Sequence, residues 1–194
     1  MIKQLYLALV LAFAPLFLNA QQHTIINLFY TSDAHYGLSR DQFRGDTAVP
    51  AQKVNEVMIE AMNSMIGQRL PDDAGVGTNQ VLQQVGYLIQ SGDIANRQEP
   101  PYQSAAQSWN QFIADYNNGP AFNNTKPTLL LVPGNHDISN AIGFTKKMVP
   151  ATDPTVMVEV YNRMMSPQTP LTNSTFELAK DQINYSREIG GVHF

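Results

Sequence analysis

The sequence contains no cysteine among its 194 residues. This absence excludes a disulfide scaffold, a thiolate zinc site, a cysteine nucleophile and a lipid-modified N-terminal cysteine. A metal site in this protein must therefore use histidine, aspartate, glutamate or asparagine side chains.

Charge is also scarce. Charged residues make up only 14% of the chain, against about 25% in typical soluble domains. The 12 basic and 16 acidic residues give a net charge of −4 with neutral histidines, which excludes a polybasic nucleic-acid-binding patch of the usual kind. Asparagine and glutamine, 16 of each, supply the polarity instead, so the composition predicts a soluble, folded chain.

The first 20 residues have the features of a secretory signal peptide. Lys3 precedes an apolar run over residues 5–18, and Ala20 is the small residue expected at a cleavage point. A membrane anchor is the alternative, but the run is shorter than the roughly 20 residues that cross a bilayer, and Pro15 interrupts it. We therefore predict a secreted or periplasmic protein that has no stable membrane span after cleavage.

Residues 21–194 are predicted to form one domain, because no repeat, linker or low-complexity segment divides them. Runs of β-branched and apolar residues predict three strands, at 24–31, 85–90 and 128–132. Helical spacing of apolar residues predicts three helices, at 51–70, 104–116 and 155–165. The alternation of strands and helices is typical of an α/β fold with a parallel sheet. A last strand-like segment ends at Phe194.

Polar residues follow each of the three predicted strands at its carboxyl end. The first block is Asp33-Ala34-His35, the second is Gly92-Asp93 and the third is Gly134-Asn135-His136-Asp137. Because ligands of parallel α/β sheets bind outside the carboxyl ends of the strands, we expect the three blocks to converge. Carboxylate, imidazole and amide ligands together suit Mn, Fe, Zn or Mg.

The three blocks, in this order, resemble the motifs of the calcineurin-like metallophosphoesterases. The pattern of that family is D-x-H, then G-D, then G-N-H-[ED], followed by an isolated histidine and G-H-x-H. The resemblance covers residues 25–137 and continues weakly to the segment that ends at Phe194. It implies a four-layer α/β/β/α sandwich with the metal site between two sheets, and this chain would hold the N-terminal part of that sandwich.

The resemblance also implies a role for the residues of the blocks. Asp33 and His35 would hold a first divalent ion, Asp93 would bridge to a second ion, and Asn135 would hold the second. His136 would approach the phosphoryl group, with Asp137 orienting its ring. The implied function is hydrolysis of a small-molecule phosphoester by a metal-activated hydroxide, as a phosphatase or a phosphodiesterase.

The sequence departs from the family pattern downstream of the third block. The family places further histidine ligands there, whereas His193 is the only histidine in this part of the sequence and lacks the G-H-x-H context. We expect His193 to be an ordinary strand residue, and the chain to be an incomplete domain, as a fragment of a longer enzyme would be. The alternative is a non-catalytic metal-binding or interaction module on the same half-fold.

Overall fold

The computed structural model describes residues 25–96, 103–120, 122, 124–138 and 153–194. The predicted signal peptide, residues 1–20, lies outside these ranges. The strands are β1 Leu28–Thr31, β2 Ser39–Phe43, β3 Asp46–Pro50, β4 Tyr87–Gln90, β5 Thr128–Leu131, β6 Glu188–Ile189 and β7 Val192–His193. The helices are α1 Ala51–Met65, α2 Ala105–Phe112, α3 Asn135–Ile138 and α4 Thr155–Met165, with a π-helical turn over Ile113–Asn117 directly after α2.

A three-stranded parallel sheet with the order β1-β4-β5 lies at the centre of the fold. Its register aligns Thr31 with Gln90 and Gln90 with Leu131, so the three strands end level with one another. The C-terminal ends of β1, β4 and β5 lie within one residue of the ends predicted from the sequence. The structure thus confirms a mixed α/β fold with a parallel sheet, and it brings the three blocks to one edge of that sheet.

The core lies between this sheet and the predicted helices. Leu88 and Leu131 of the sheet belong to one buried cluster with Ile59, Trp109 and Val160 of α1, α2 and α4. Helix α4 has the predicted bounds, whereas α1 ends five residues early because the chain turns to an extended conformation directly after Met65. In the part of the chain that the structure describes, no helix is both long and apolar enough to cross a membrane.

Two antiparallel hairpins complete the described fold. Strands β2 and β3 pair between the first block and α1, and most of their residues are exposed. Strands β6 and β7 pair where a last strand-like segment was predicted. His193 lies in β7 with its side chain 72% exposed and 4.0 Å from the Glu188 carboxylate, as expected of an ordinary strand residue.

Candidate metal centre

The loop of the first block is hydrogen-bonded to the loop of the second. The amide nitrogens of Asp33, His35 and Tyr36 donate to the carbonyl oxygens of Gly92, Asp93 and Ile94, at 3.0, 2.8 and 2.8 Å. The parallel pairing of β1 with β4 thus continues beyond the strand ends, to a bridge between Tyr36 and Ala95. These bonds fix the main chain of both loops. They therefore define the backbone positions from which the side chains of Asp33, His35 and Asp93 project.

Three predicted ligand residues have left-handed backbone conformations. Their φ angles are 57° at Asp33, 48° at His35 and 53° at Asp93. Aspartate and histidine enter this region more often than most residues other than glycine, but it still carries a steric cost for both. Strained backbone of this kind persists where surrounding contacts hold it, and it is concentrated at functional sites.

The side chains of His35, Asp93 and His136 form one group, which we call the ligand cluster. One potential ligand atom from each residue lies within 4.8 Å of the other two, and all three side chains are partly buried. His35 Nε2 lies 3.8 Å from Asp93 Oδ2, and the rings of His35 and His136 meet edge to face with centroids 4.8 Å apart. The ligand cluster is therefore compact enough to hold a metal ion.

Asp33 lies at the exposed side of this cluster. Its Oδ1 is 3.5 Å from His35 Nε2, and its side chain is 61% exposed, against 15% for His35. The two carboxylates of Asp33 and Asp93 therefore face the same ring nitrogen.

The spacing of these atoms fits a cation better than direct hydrogen bonds. Separations of 3.5 and 3.8 Å between His35 Nε2 and the two carboxylates exceed the usual hydrogen-bond length. Two ligands of a tetrahedral ion with bonds of about 2.1 Å lie about 3.4 Å apart.

Among the described residues, His35 Nδ1 is buried without a hydrogen-bond partner. Burial lowers the pKa of His35, against the opposing effect of Asp93, and this favours the neutral imidazole that binds metals.

The third block brings His136 to the cluster through both its main chain and its ring. The amide nitrogen of His136 donates to Asp93 Oδ1 at 3.0 Å, and Asp93 Oδ2 faces His35. The ring Nδ1 of His136 lies 2.5 Å from the carbonyl oxygen of Asn96. Since a carbonyl oxygen only accepts, Nδ1 must carry the hydrogen, and the chemistry of this ring then belongs to Nε2.

Asp137 joins the second block to the third. Its carboxylate is fully buried and accepts hydrogen bonds from the amide nitrogens of Ile94, Ala95 and Gly134, at 3.1, 2.9 and 3.0 Å. Burial raises the pKa of Asp137 to about 6, although the three N–H donors oppose this shift. Asp137 therefore braces the loop that carries His136, and its predicted contact with the His136 ring stays a prediction.

Asn135 begins α3 and is exposed. It lies one residue before His136, on the same loop as the ligand cluster, and its predicted contact with a second ion also stays a prediction.

The glycines of the second and third blocks allow the two loops to touch. A Cβ atom on Gly92 would lie 2.5 Å from the Gly134 nitrogen, and a Cβ on Gly134 would overlap the carboxylate of Asp93. Only glycine permits backbones to approach this closely. Both glycines are therefore required for Asp93 and His136 to meet.

We expect Gly92→Ala to destabilise the protein far more than Gly45→Ala. Gly92 and Gly45 both have positive φ, +110° and +95°, but a Cβ on Gly45 would meet nothing within 4 Å. The control should lose only the conformational term of about 1–2 kcal/mol, whereas Gly92→Ala adds backbone overlap and should lose more than about 4 kcal/mol. Urea unfolding of both variants measures the difference, and equal losses would show that the two loops separate at little cost.

Comparisons with family models, with curated proteins and with solved structures found no match to this chain.

Proposed function

We propose that this chain is a metal-dependent phosphoester hydrolase of the calcineurin-like metallophosphoesterase type. The observation that carries the proposal is the convergence of Asp33, His35, Asp93 and His136 at the carboxyl edge of a parallel sheet. These residues come from three separate blocks in the order that the family pattern requires. The left-handed conformations of Asp33, His35 and Asp93 and the close spacing of the side chains support a site built to hold cations.

Residues of all three blocks would bind the metal. Asp33 and His35 would hold one ion, Asp93 would contact both ions, and Asn135 would hold the second. Two divalent ions, drawn from Mn, Fe, Zn or Mg, would supply Lewis-acid polarisation of the phosphoryl group and a more acidic attacking water. Asp93 is suited to the shared position because one of its oxygens already accepts the His136 amide while the other faces His35.

His136 would act on the leaving group. Its Nδ1 hydrogen is directed to the Asn96 carbonyl. Nε2 is therefore the atom that would deliver a proton to the departing oxygen when the ring enters the reaction doubly protonated, and the ring would be left as the neutral Nδ1–H imidazole. Asp137, bonded to three backbone amides, would keep the loop of His136 in place during turnover.

The same proposal extends to architecture and location. The parallel sheet and its helices would be the N-terminal part of a four-layer α/β/β/α sandwich, preceded by a signal peptide over residues 1–20. The protein would then act in a secreted or periplasmic setting on a small-molecule phosphoester.

Metal-dependent turnover tests this proposal. After treatment with a chelator, the full chain should hydrolyse 4-nitrophenyl phosphate or bis(4-nitrophenyl) phosphate only when Mn²⁺ is restored, since the ions supply most of the transition-state charge stabilisation. The rate on each ester should rise with Mn²⁺ and saturate. Turnover no higher than the blank with Mn²⁺, Zn²⁺, Fe²⁺ and Mg²⁺ would overturn the hydrolase proposal for this chain.

One observation favours a second candidate, a non-catalytic metal-binding module. The ligand cluster contains two imidazoles and one carboxylate from the described residues alone, which is a sufficient donor set for one ion. In that case His136 would be a ligand of the ion, whereas in the hydrolase it would act on the leaving group.

A further inference from the structure

Asn55 is a buried polar residue in the middle of α1. Only 4% of it is exposed, and it lies on the face of α1 that also buries Ala51, Ile59 and Met62. An amide side chain buried among apolar residues is costly unless its donors and acceptor are satisfied. Its hydrogen bonds therefore identify what it does in the fold.

The Asn55 side chain connects α1 to the first block. Its Nδ2 donates to the carbonyl oxygen of Ala34 at 2.9 Å and to that of Ala51 at 2.8 Å. Its Oδ1 accepts from the hydroxyl of Tyr116 at 2.8 Å. Both amide hydrogens and one acceptor site are thus used. Because the carbonyl oxygens of Ala34 and Ala51 only accept, they fix the Nδ2 end of the amide toward Ala34.

Ala34 is the residue between the two predicted ligands of the first block. Its neighbours Asp33 and His35 both have positive φ, and the amide nitrogens of both are bonded to the second block. The bond from Asn55 to the Ala34 carbonyl holds the same loop from the opposite side, through a helix. The strained turn is therefore fixed between the second block and α1.

Tyr116 lies in the π-helical turn that follows α2. The wider turn there places a fully buried tyrosine hydroxyl against Asn55. Single π-helical turns are frequent at functional sites. Two hydrogen bonds, from Tyr116 to Asn55 and from Asn55 to Ala34, thus connect the π-helical turn to the loop of the candidate metal ligands.

We propose that Asn55 is a positioning residue of the metal centre, whose amide holds the Ala34 carbonyl and thereby keeps Asp33 and His35 directed at a shared cation. This inference rests on the proposed function for the identity of the ligands. Asn55 itself touches neither the cation nor the substrate. Groups that hydrogen-bond directly to metal ligands set the orientation of those ligands, and their loss typically weakens metal affinity about 10–100-fold. Asn55 holds the main chain between two ligands, and we expect an effect of the same order.

The test compares Asn55→Leu with Asn63→Leu in the full chain. Asn63 is on the same helix and also donates to a distant carbonyl, that of Gly119 at 3.0 Å, so it matches the chemistry with an acceptor that lies outside the first block. We expect Asn55→Leu to weaken Co²⁺ binding, followed by absorption, about 10–100-fold. Asn63→Leu should leave Co²⁺ affinity within about twofold, although it also removes a side-chain hydrogen bond that stabilises α1.

Amide hydrogen exchange in metal-free protein provides a second measurement that needs no cation. Asn55→Leu should speed exchange at Asp33 and His35 about tenfold more than Asn63→Leu does, because the loop loses its bond to α1. If Asn55→Leu does not fold, Asn55→Asp keeps the acceptor for Tyr116 and removes the donor to Ala34.

The outcomes separate this inference from the proposed function. Equal effects of the two leucine variants on Co²⁺ affinity and on exchange would overturn the positioning role. If the unaltered chain binds no Co²⁺, the metal chemistry is overturned, and exchange at Asp33 and His35 still decides whether Asn55 holds the loop.

Discussion

Asp93→Asn should abolish metal-dependent hydrolysis while leaving the fold intact. Asparagine keeps an oxygen that accepts the His136 amide, and it tolerates the left-handed φ of 53° at this position. What it loses is the negative charge on the oxygen that faces His35. Loss of a group that only hydrogen-bonds to a metal ligand lowers metal affinity or activity about 10–100-fold. Loss of a ligand itself should therefore lower kcat/KM with Mn²⁺ by more than about 100-fold.

Asp73→Asn is the matched control for that variant. Asp73 also accepts a backbone amide, from Gly75 at 2.9 Å, but it is exposed on a loop distant in sequence from the blocks. The Asp73→Asn variant loses one negative charge, as Asp93→Asn does, and should retain full activity and Mn²⁺ affinity. If Asp93→Asn binds Mn²⁺ as tightly as the control and still turns over, Asp93 is not a metal ligand and the bridging role is wrong.

The strands and the convergence of the blocks were readable from sequence because they follow from local pattern. Apolar runs such as 128–132 are typical of strands in parallel sheets, and polar residues directly after them must lie at the edge of the sheet. The observed ends of β1, β4 and β5 agree with this prediction. The approach of Asp33, His35 and Asp93 follows from the level strand ends.

Other features depend on tertiary contacts that no local pattern contains. The β2–β3 hairpin is mostly exposed and lacks an alternating apolar pattern, so its sequence gives no strand signal. Asn55 interrupts the apolar face of α1, and its partner Tyr116 is 61 residues away. The three backbone partners of the Asp137 carboxylate become visible only when the loops are in place.

The role of His136 separates the two candidate functions. Its ring belongs to the ligand cluster, which a metal-binding module would use directly. The family pattern instead gives that ring to the phosphoryl group. Because the link from His136 to Asp93 runs through the main-chain amide, replacing the ring leaves that bond in place. The ring can therefore be removed without separating the second block from the third.

His136→Ala should lower turnover about 10²–10⁴-fold, the usual contribution of a general acid, and leave Co²⁺ affinity within about threefold of the unaltered chain. The loss should be greater for phenyl phosphate than for 4-nitrophenyl phosphate, because a poorer leaving group depends more on proton donation. His193→Ala, which removes an exposed histidine from β7, controls for adventitious metal binding. If Co²⁺ affinity instead falls by more than about 100-fold in His136→Ala and is unchanged in His193→Ala, His136 is a ligand of the ion. The metal-binding module would then be the better account of the site.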